Sequence, residues 1–156
     1  MIFLTVGTQL PFDRLVKSVD NYCDTKELHV IAQIGSAIYR PINLEYKDFY
    51  QPDEVDSYFD AASVIISHAG MGTIISCIKK SKPLILFPRL SIKGEHRNDH
   101  QMDTIKSFLN FTGIYIAYNE VDLFNFLDRV ELLEAPKNNL DTQCKELLSF
   151  INSFYF

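Results

Sequence analysis

No hydrophobic run in this 156-residue chain approaches the ~20 residues that a membrane-spanning helix requires. The opening Met1-Ile2-Phe3-Leu4-Thr5-Val6-Gly7 also lacks the positive flank and small-residue cleavage site of a secretory signal. The expectation is a chain neither exported nor membrane-spanning by itself. Basic side chains are the minority, 15 against 20 acidic, for a net charge of −5. That removes broad attraction to nucleic acid or anionic lipid and leaves room only for a local basic site. The three cysteines, Cys23, Cys77 and Cys144, form no CxxC pair, and an odd, scattered set suits reduced thiols in a cytosolic setting. Cys77 and Cys144 stand among apolar helical neighbours and are read as packing residues. No internal repeat, low-complexity tract or second domain is visible.

What is present is ordinary globular material, 47% hydrophobic and 22% charged, enough for one domain over residues 1–156 with a core of its own. Short apolar runs alternate with helical periodicity. Residues 2–6 read as a strand stopped by Gly7, and Phe12, Leu15, Val16, Val19 and Tyr22 mark a helix after it. Residues 28–34 read as a strand stopped by Gly35, and residues 44–50 as a less buried edge strand. A helix over 53–62 precedes Val64 to Ser67, whose apolar residues on both faces predict a central parallel strand. A helix from about Gly72 to Lys80 leads to a buried strand bracketed by Pro83 and Pro88. Residues 89–99 read as an irregular polar loop, 100–109 as a helix, 114–117 as a last strand and 120–133 as a helix. Beyond Pro136, apolar positions from Leu140 to Tyr155 fall on one face of a terminal helix at about 138–154. Strands alternating with helices predict an α/β domain with a Rossmann-like, mainly parallel sheet and right-handed crossovers.

In such a sheet ligands bind beyond the carboxyl ends of the strands, so the loops there carry the functional candidates. In the stretch His68-Ala69-Gly70-Met71-Gly72-Thr73 a strand end, two glycines and a helix start follow one another. Backbone N–H groups and a helix dipole can then approach a phosphate that bulky side chains would exclude; a plain tight turn accounts for the spacing equally well. The G-x-G-x-x-G fingerprint fails for want of a third glycine and of an acidic residue ~20 positions on, which disfavours a nicotinamide cofactor. Gly7-Thr8-Gln9 is a second small polar loop, followed by Asp13-Arg14, whose plainest reading is a solvent-facing pair. The densest polar cluster, Glu95-His96-Arg97-Asn98-Asp99-His100-Gln101, offers donors to sugar hydroxyls and a counter-charge to phosphate. A metal site from His96, Asp99 and His100 is conceivable, and a solvated loop is the bland alternative.

Read together, residues 2–9, Pro11 to Leu15, Gln33-Ile34-Gly35, Ala62 to Thr73, Lys82 to Ile85 and Asn98-Asp99-His100-Gln101 resemble the C-terminal domain of family 28 glycosyltransferases. Among its branches they look most like the bacterial exopolysaccharide and capsule subunits of PssE type, and like the eukaryotic catalytic subunit that adds the second GlcNAc to dolichol-linked sugar. The resemblance runs over about residues 1 to 118. It implies the donor-binding half of a GT-B fold, with a UDP-sugar as donor substrate and no obligatory cofactor or metal. It further implies that Gly7, Thr8, Gln9 and the turn His68, Ala69, Gly70, Met71, Gly72, Thr73 face the diphosphate, that His100 and Gln101 contact the donor sugar, and that Gln33 and Gly35 border the uridine. Arg14, Arg89 and Glu95 are further candidates in the same loops. Where many members carry a ribose-holding glutamate, this chain has Ser76.

The function so implied is the donor-binding, catalytic subunit of a two-chain inverting hexosyltransferase, moving a sugar to a lipid-linked, polyprenyl-diphosphate acceptor in capsule or exopolysaccharide synthesis. The partner would be a membrane-anchored subunit carrying the acceptor site and the general base, and would recruit this cytoplasmic chain to the membrane as a peripheral heterodimer. Competing readings are a non-catalytic nucleotide-sugar-binding module that regulates a partner, and a self-sufficient homodimeric transferase. The terminal helix with its aromatic tail either covers the core or docks against a partner or membrane interface.

Overall fold

A computed structural model describes residues 1–97 and 100–137. The predicted terminal helix at about 138–154, with Cys144, lies outside the described residues, as do Asn98 and Asp99. Six strands, β1 (Ile2–Thr5), β2 (Val30–Gln33), β3 (Glu45–Lys47), β4 (Val64–Ser67), β5 (Leu84–Leu86) and β6 (Ile114–Ile116), form one sheet in the order β3-β2-β1-β4-β5-β6. Every neighbouring pair is parallel, and Ile2 stands between Val30 and Val64 in register. The expected mainly parallel sheet is parallel throughout the described residues. β1 and β4 lie at its centre and are buried along their full length. β3 has Glu45 and Lys47 exposed at the edge, as the alternation of residues 44–50 predicts, though only three residues join the ladder.

Five helices, α1 (Asp13–Thr25), α2 (Pro52–Ala61), α3 (Met71–Lys79), α4 (His100–Phe108) and α5 (Glu120–Leu127), cover the sheet. Side chains alternate across a strand, so Leu4, Ile66, Ile85 and Phe87 pack with Leu15, Val16 and Val19 of α1 and Leu123 and Leu127 of α5. Phe3, Ile65, Leu84 and Leu86 pack on the opposite face with Phe59 of α2, Ile74 and Cys77 of α3 and Phe108 of α4. Cys77 is fully buried there, and burial pushes its thiol up to about 12, as befits a packing residue. Among the described residues no helix is long and apolar enough to cross a membrane.

Local chemistry sets the helix ends. A capping box joins the Gln51 and Glu54 side chains to each other's backbone with Pro52 just inside, so α2 starts one residue earlier than periodicity alone suggests. Asn119 caps α5 by accepting the Asp122 N–H at 2.9 Å. The helix expected over 120–133 instead ends at Leu127. Arg129 leaves the helical region, and a single 3₁₀ turn at Val130–Leu132 returns Val130 and Leu133 to the α1 face of the core. The segment 89–97, expected to be an irregular solvated loop, contains a 3₁₀ turn at Ser91–Lys93 closed by Gly94 at φ 69°, and it is anchored at both ends by the arginines described below.

Candidate functional site

The order of the strands defines one crevice. From β1 the chain returns through α1 to β2 on one side, and from β4 through α3 to β5 on the other, so the loops leaving β1 and β4 diverge at the carboxyl edge. This is the switch point at which open parallel sheets bind ligands. A cavity of ≈ 500 Å³ lies there, walled by Gly7, Thr8 and Gln9 after β1, by His68, Ala69, Gly70, Gly72 and Thr73 after β4, and by Arg89 and Gln101 beyond β5. That volume suits a nucleotide-sized ligand. A cavity of ≈ 490 Å³ between Tyr22 and Leu132, lined by Lys26 and Arg129 among others, is as large but stands where α1 ends and α5 runs out, away from the carboxyl edge, so position rather than size separates the two.

The glycines of the bend have two different reasons. A Cβ on Gly70 would lie 2.3 Å from His68 Nε2, and one on Gly7, which sits at φ +76°, would lie 2.7 Å from His68 Cε1. The imidazole therefore occupies the space that these two glycines vacate. Gly72 would meet nothing within 4 Å; its open side belongs to the cavity. The N–H groups of Met71, Gly72 and Thr73 open α3 and have no acceptor within the helix, so the dipole's positive end borders the same space. Met71 is not part of the wall, and its side chain packs toward the Phe3 face of the core.

His68 is held neutral. Burial and the charge of Arg89 push its pKa down to about 4. The Ser67 hydroxyl donates to the Thr5 carbonyl at 2.7 Å and lies 3.3 Å from His68 Nδ1, which leaves Ser67 Oγ to accept and favours the Nδ1–H tautomer. Arg89 is buried: its Nη2 donates to the carbonyls of Val6 and Leu10 at 2.9 and 2.6 Å, and its backbone N–H donates to Gln101 Oε1 at 2.9 Å. Gln101 thereby ties the first turn of α4 to the end of β5.

Asp13 and Arg14 do not form the solvent-facing pair that the sequence suggests. Asp13 accepts the Tyr39 N–H. Arg14 instead grips Glu95 with two hydrogen bonds of 2.7 and 2.8 Å, donates to the Pro88 carbonyl at 2.7 Å and rests 4.3 Å from the Phe87 ring centroid. Both partners are largely shielded, so the pair locks segment 89–95 onto α1. Gln33 and Gly35 stand outside the cavity wall. Gln33 is buried, its amide oxygen accepting the Tyr50 N–H at 3.0 Å, while Gly35 at φ +58° sits against the Gly7 carbonyl and supports the bend from below. His100 opens α4, but its side chain lies outside what is described. His96 joins the wall, as does Thr104, which sequence reading missed although it lies three residues after Gln101 on the same helical face. Ser76 lies a turn further along α3, outside the wall. Among the described residues no group of three His, Cys, Asp or Glu side chains could hold a metal ion.

The sequence model of the glycosyltransferase family 28 C-terminal domain matches residues 1–154. The chain belongs to this family. Among curated relatives it is similar to the UDP-N-acetylglucosamine transferase subunit ALG13 of Candida albicans, 28% identical over 92 residues, or 58% of this chain and 30% of the relative. It is likewise similar to the subunit of the same name from Mus musculus, 30% identical over 120 residues, or 67% of this chain and 9% of the relative. The chain thus spans less than a third of the length of these relatives. Its fold is shared with the solution structure of ALG13 (TM-score 0.58, 19% identity, 86% of this chain and 87% of the other). It is shared too with the calicheamicin glycosyltransferase CalG4 (TM-score 0.60, 13% identity, 82% of this chain and 34% of the other). The family 28 domain here is the Rossmann-like C-terminal half of a GT-B architecture.

Proposed function

We propose that this chain is the donor-binding subunit of a two-chain inverting glycosyltransferase that takes a UDP-sugar and extends a polyprenyl-diphosphate-linked acceptor in capsule or exopolysaccharide synthesis. The observation that carries the reading is the ≈ 500 Å³ cavity at the β1/β4 divergence, bordered by the Gly7 bend and by the unfilled amides that open α3. Backbone donors and a helix N-terminus suit a diphosphate in the ground state. They suit it better as the bond to the anomeric carbon breaks and the leaving UDP gathers charge. In that step an acceptor hydroxyl attacks the anomeric carbon, the carbon–oxygen bond to the β-phosphate breaks with its electron pair going to UDP, and the hydroxyl proton passes to a base. His68, with its pKa near 4, is a weak base, and this reading places the base on the partner lobe.

The named relatives are transferase subunits of UDP-N-acetylglucosamine, which supports a UDP-linked donor and a subunit role for this chain. The reading adds a membrane-anchored acceptor-binding companion that recruits the chain to the cytoplasmic face of the membrane. Coexpression with such a companion and assay of sugar transfer to a lipid-linked acceptor tests it. Transfer that depends on both chains and is abolished by Gly72→Val, which fills the open side of the bend, supports the proposal. Binding of UDP-sugar with no turnover under any pairing would instead favour a non-catalytic regulatory module.

A further inference from the structure

Arg89 lies three residues beyond the end of β5 and is only 3% exposed, yet it forms part of the cavity wall. Its two Nη2 bonds go to Val6 and Leu10, the residues that bracket Gly7-Thr8-Gln9, so one guanidinium holds both ends of that bend. These two carbonyls satisfy Nη2 without cancelling the charge. Its Nε is buried and has no acceptor among the described residues. The Phe12 ring, 5.0 Å away, closes another side. The acid that acts on Arg89 through space, Glu95, is held by two bonds from Arg14 and one of 2.9 Å from the Leu90 N–H. Pinned by three donors, it cannot swing across to pair with Arg89. Burying a cation with so little compensation is costly unless an anion completes the site, and the cavity that Arg89 helps to wall offers a place for one.

We propose that Arg89 is the positioning residue for the ligand's diphosphate: its buried charge supplies positive potential to the cavity, and its carbonyl bonds set the bend that receives the phosphates. The inference rests on the donor-binding reading above. It also gives the neutral His68 a consistent place, because a second cation beside Arg89 would be repelled by it.

The dissociation constants of UDP and of uridine, measured at one ionic strength for the wild type, Arg89→Gln and Arg89→Lys, test it. Arg89→Gln is expected to weaken UDP about tenfold or more while changing uridine less than about twofold, and Arg89→Lys, which keeps the charge, to restore most of the preference. Equal losses for both ligands would reduce Arg89 to a support of the loop and overturn the inference, as would no loss for either. A wild type that does not prefer UDP over uridine would instead refute the donor-binding reading, and this inference with it. Should Arg89→Gln fail to fold, the Arg89 Nε–H resonance of the wild type carries the test. It should move on adding UDP and stay on adding uridine; moving with both alike, or with neither, overturns the assignment.

Discussion

Two glycines two positions apart in one bend should respond oppositely to the same methyl group. Gly70 has φ −92° and ψ 130°, which alanine adopts without strain, so Gly70→Ala tests steric contact alone. Its Cβ would lie 2.9 Å from His68 Cε1 and 2.3 Å from Nε2, the latter about an ångström inside van der Waals contact. The ring cannot yield toward Gly7, where Cε1 already fills the space of the missing Cβ. Overpacking of this kind costs about 1–3 kcal/mol, or a fall in Tm of roughly 3–10 °C for a domain of this size. Gly72→Ala meets nothing within 4 Å and replaces a glycine in the first turn of α3, a gain of about 0.5 kcal/mol from backbone entropy. Thermal unfolding followed by circular dichroism should therefore separate the two variants by several degrees, Gly70→Ala below the wild type and Gly72→Ala at or slightly above it. Equal shifts, or a stable Gly70→Ala, would refute the argument that the first glycine exists to seat His68.

Other consequences follow from single contacts. His68 is neutral in the folded state with a pKa near 4 against an ordinary value of 6.5. The unfolded chain therefore takes up its proton first, and stability present above pH 6.5 is lost as pH falls toward 4, by roughly 3 kcal/mol; urea unfolding of wild type and His68→Gln should show this slope only in the wild type. Asp20 is 1% exposed and accepts from the Tyr39 hydroxyl and the N–H groups of Ile42 and Asn43 at 2.6, 3.1 and 2.7 Å, tying the segment before β3 to α1. Asp20→Ala leaves those donors without their carboxylate and is expected to cost about 3 kcal/mol, seen as a lower urea midpoint, whereas an unchanged midpoint would show that water replaces it freely.

Much of this architecture is legible in the residues themselves. Val64 to Ser67 reads as a central strand because it is apolar on both faces, and the structure places it beside β1 in the middle of the sheet. The stops at Gly7 and Gly35 coincide with positive φ. Periodicity overran α5 because Val130 lands on the core face whether it sits in a helix or in a 3₁₀ turn, so the pattern cannot mark the break at Arg129. The burial of Arg89 was hidden for a different reason. Its acceptors lie 83 and 79 positions away, so a local window shows only an arginine in a polar stretch. The pairing of Arg14 with Glu95 across 81 positions escaped in the same way. The reason for Gly70 was likewise out of reach, because it depends on where the His68 ring turns rather than on the glycine spacing.

The account depends on a nucleotide diphosphate occupying the crevice between the loops that leave β1 and β4, and titrating the isotope-labelled chain with UDP-N-acetylglucosamine while following its backbone amides tests that directly. The predicted result is a saturable set of shifts centred on Gly7, Thr8, Gly72 and Thr73, with Lys26 and Arg129 unmoved. Shifts centred instead on the cavity between Tyr22 and Leu132, or none at millimolar ligand, would contradict it.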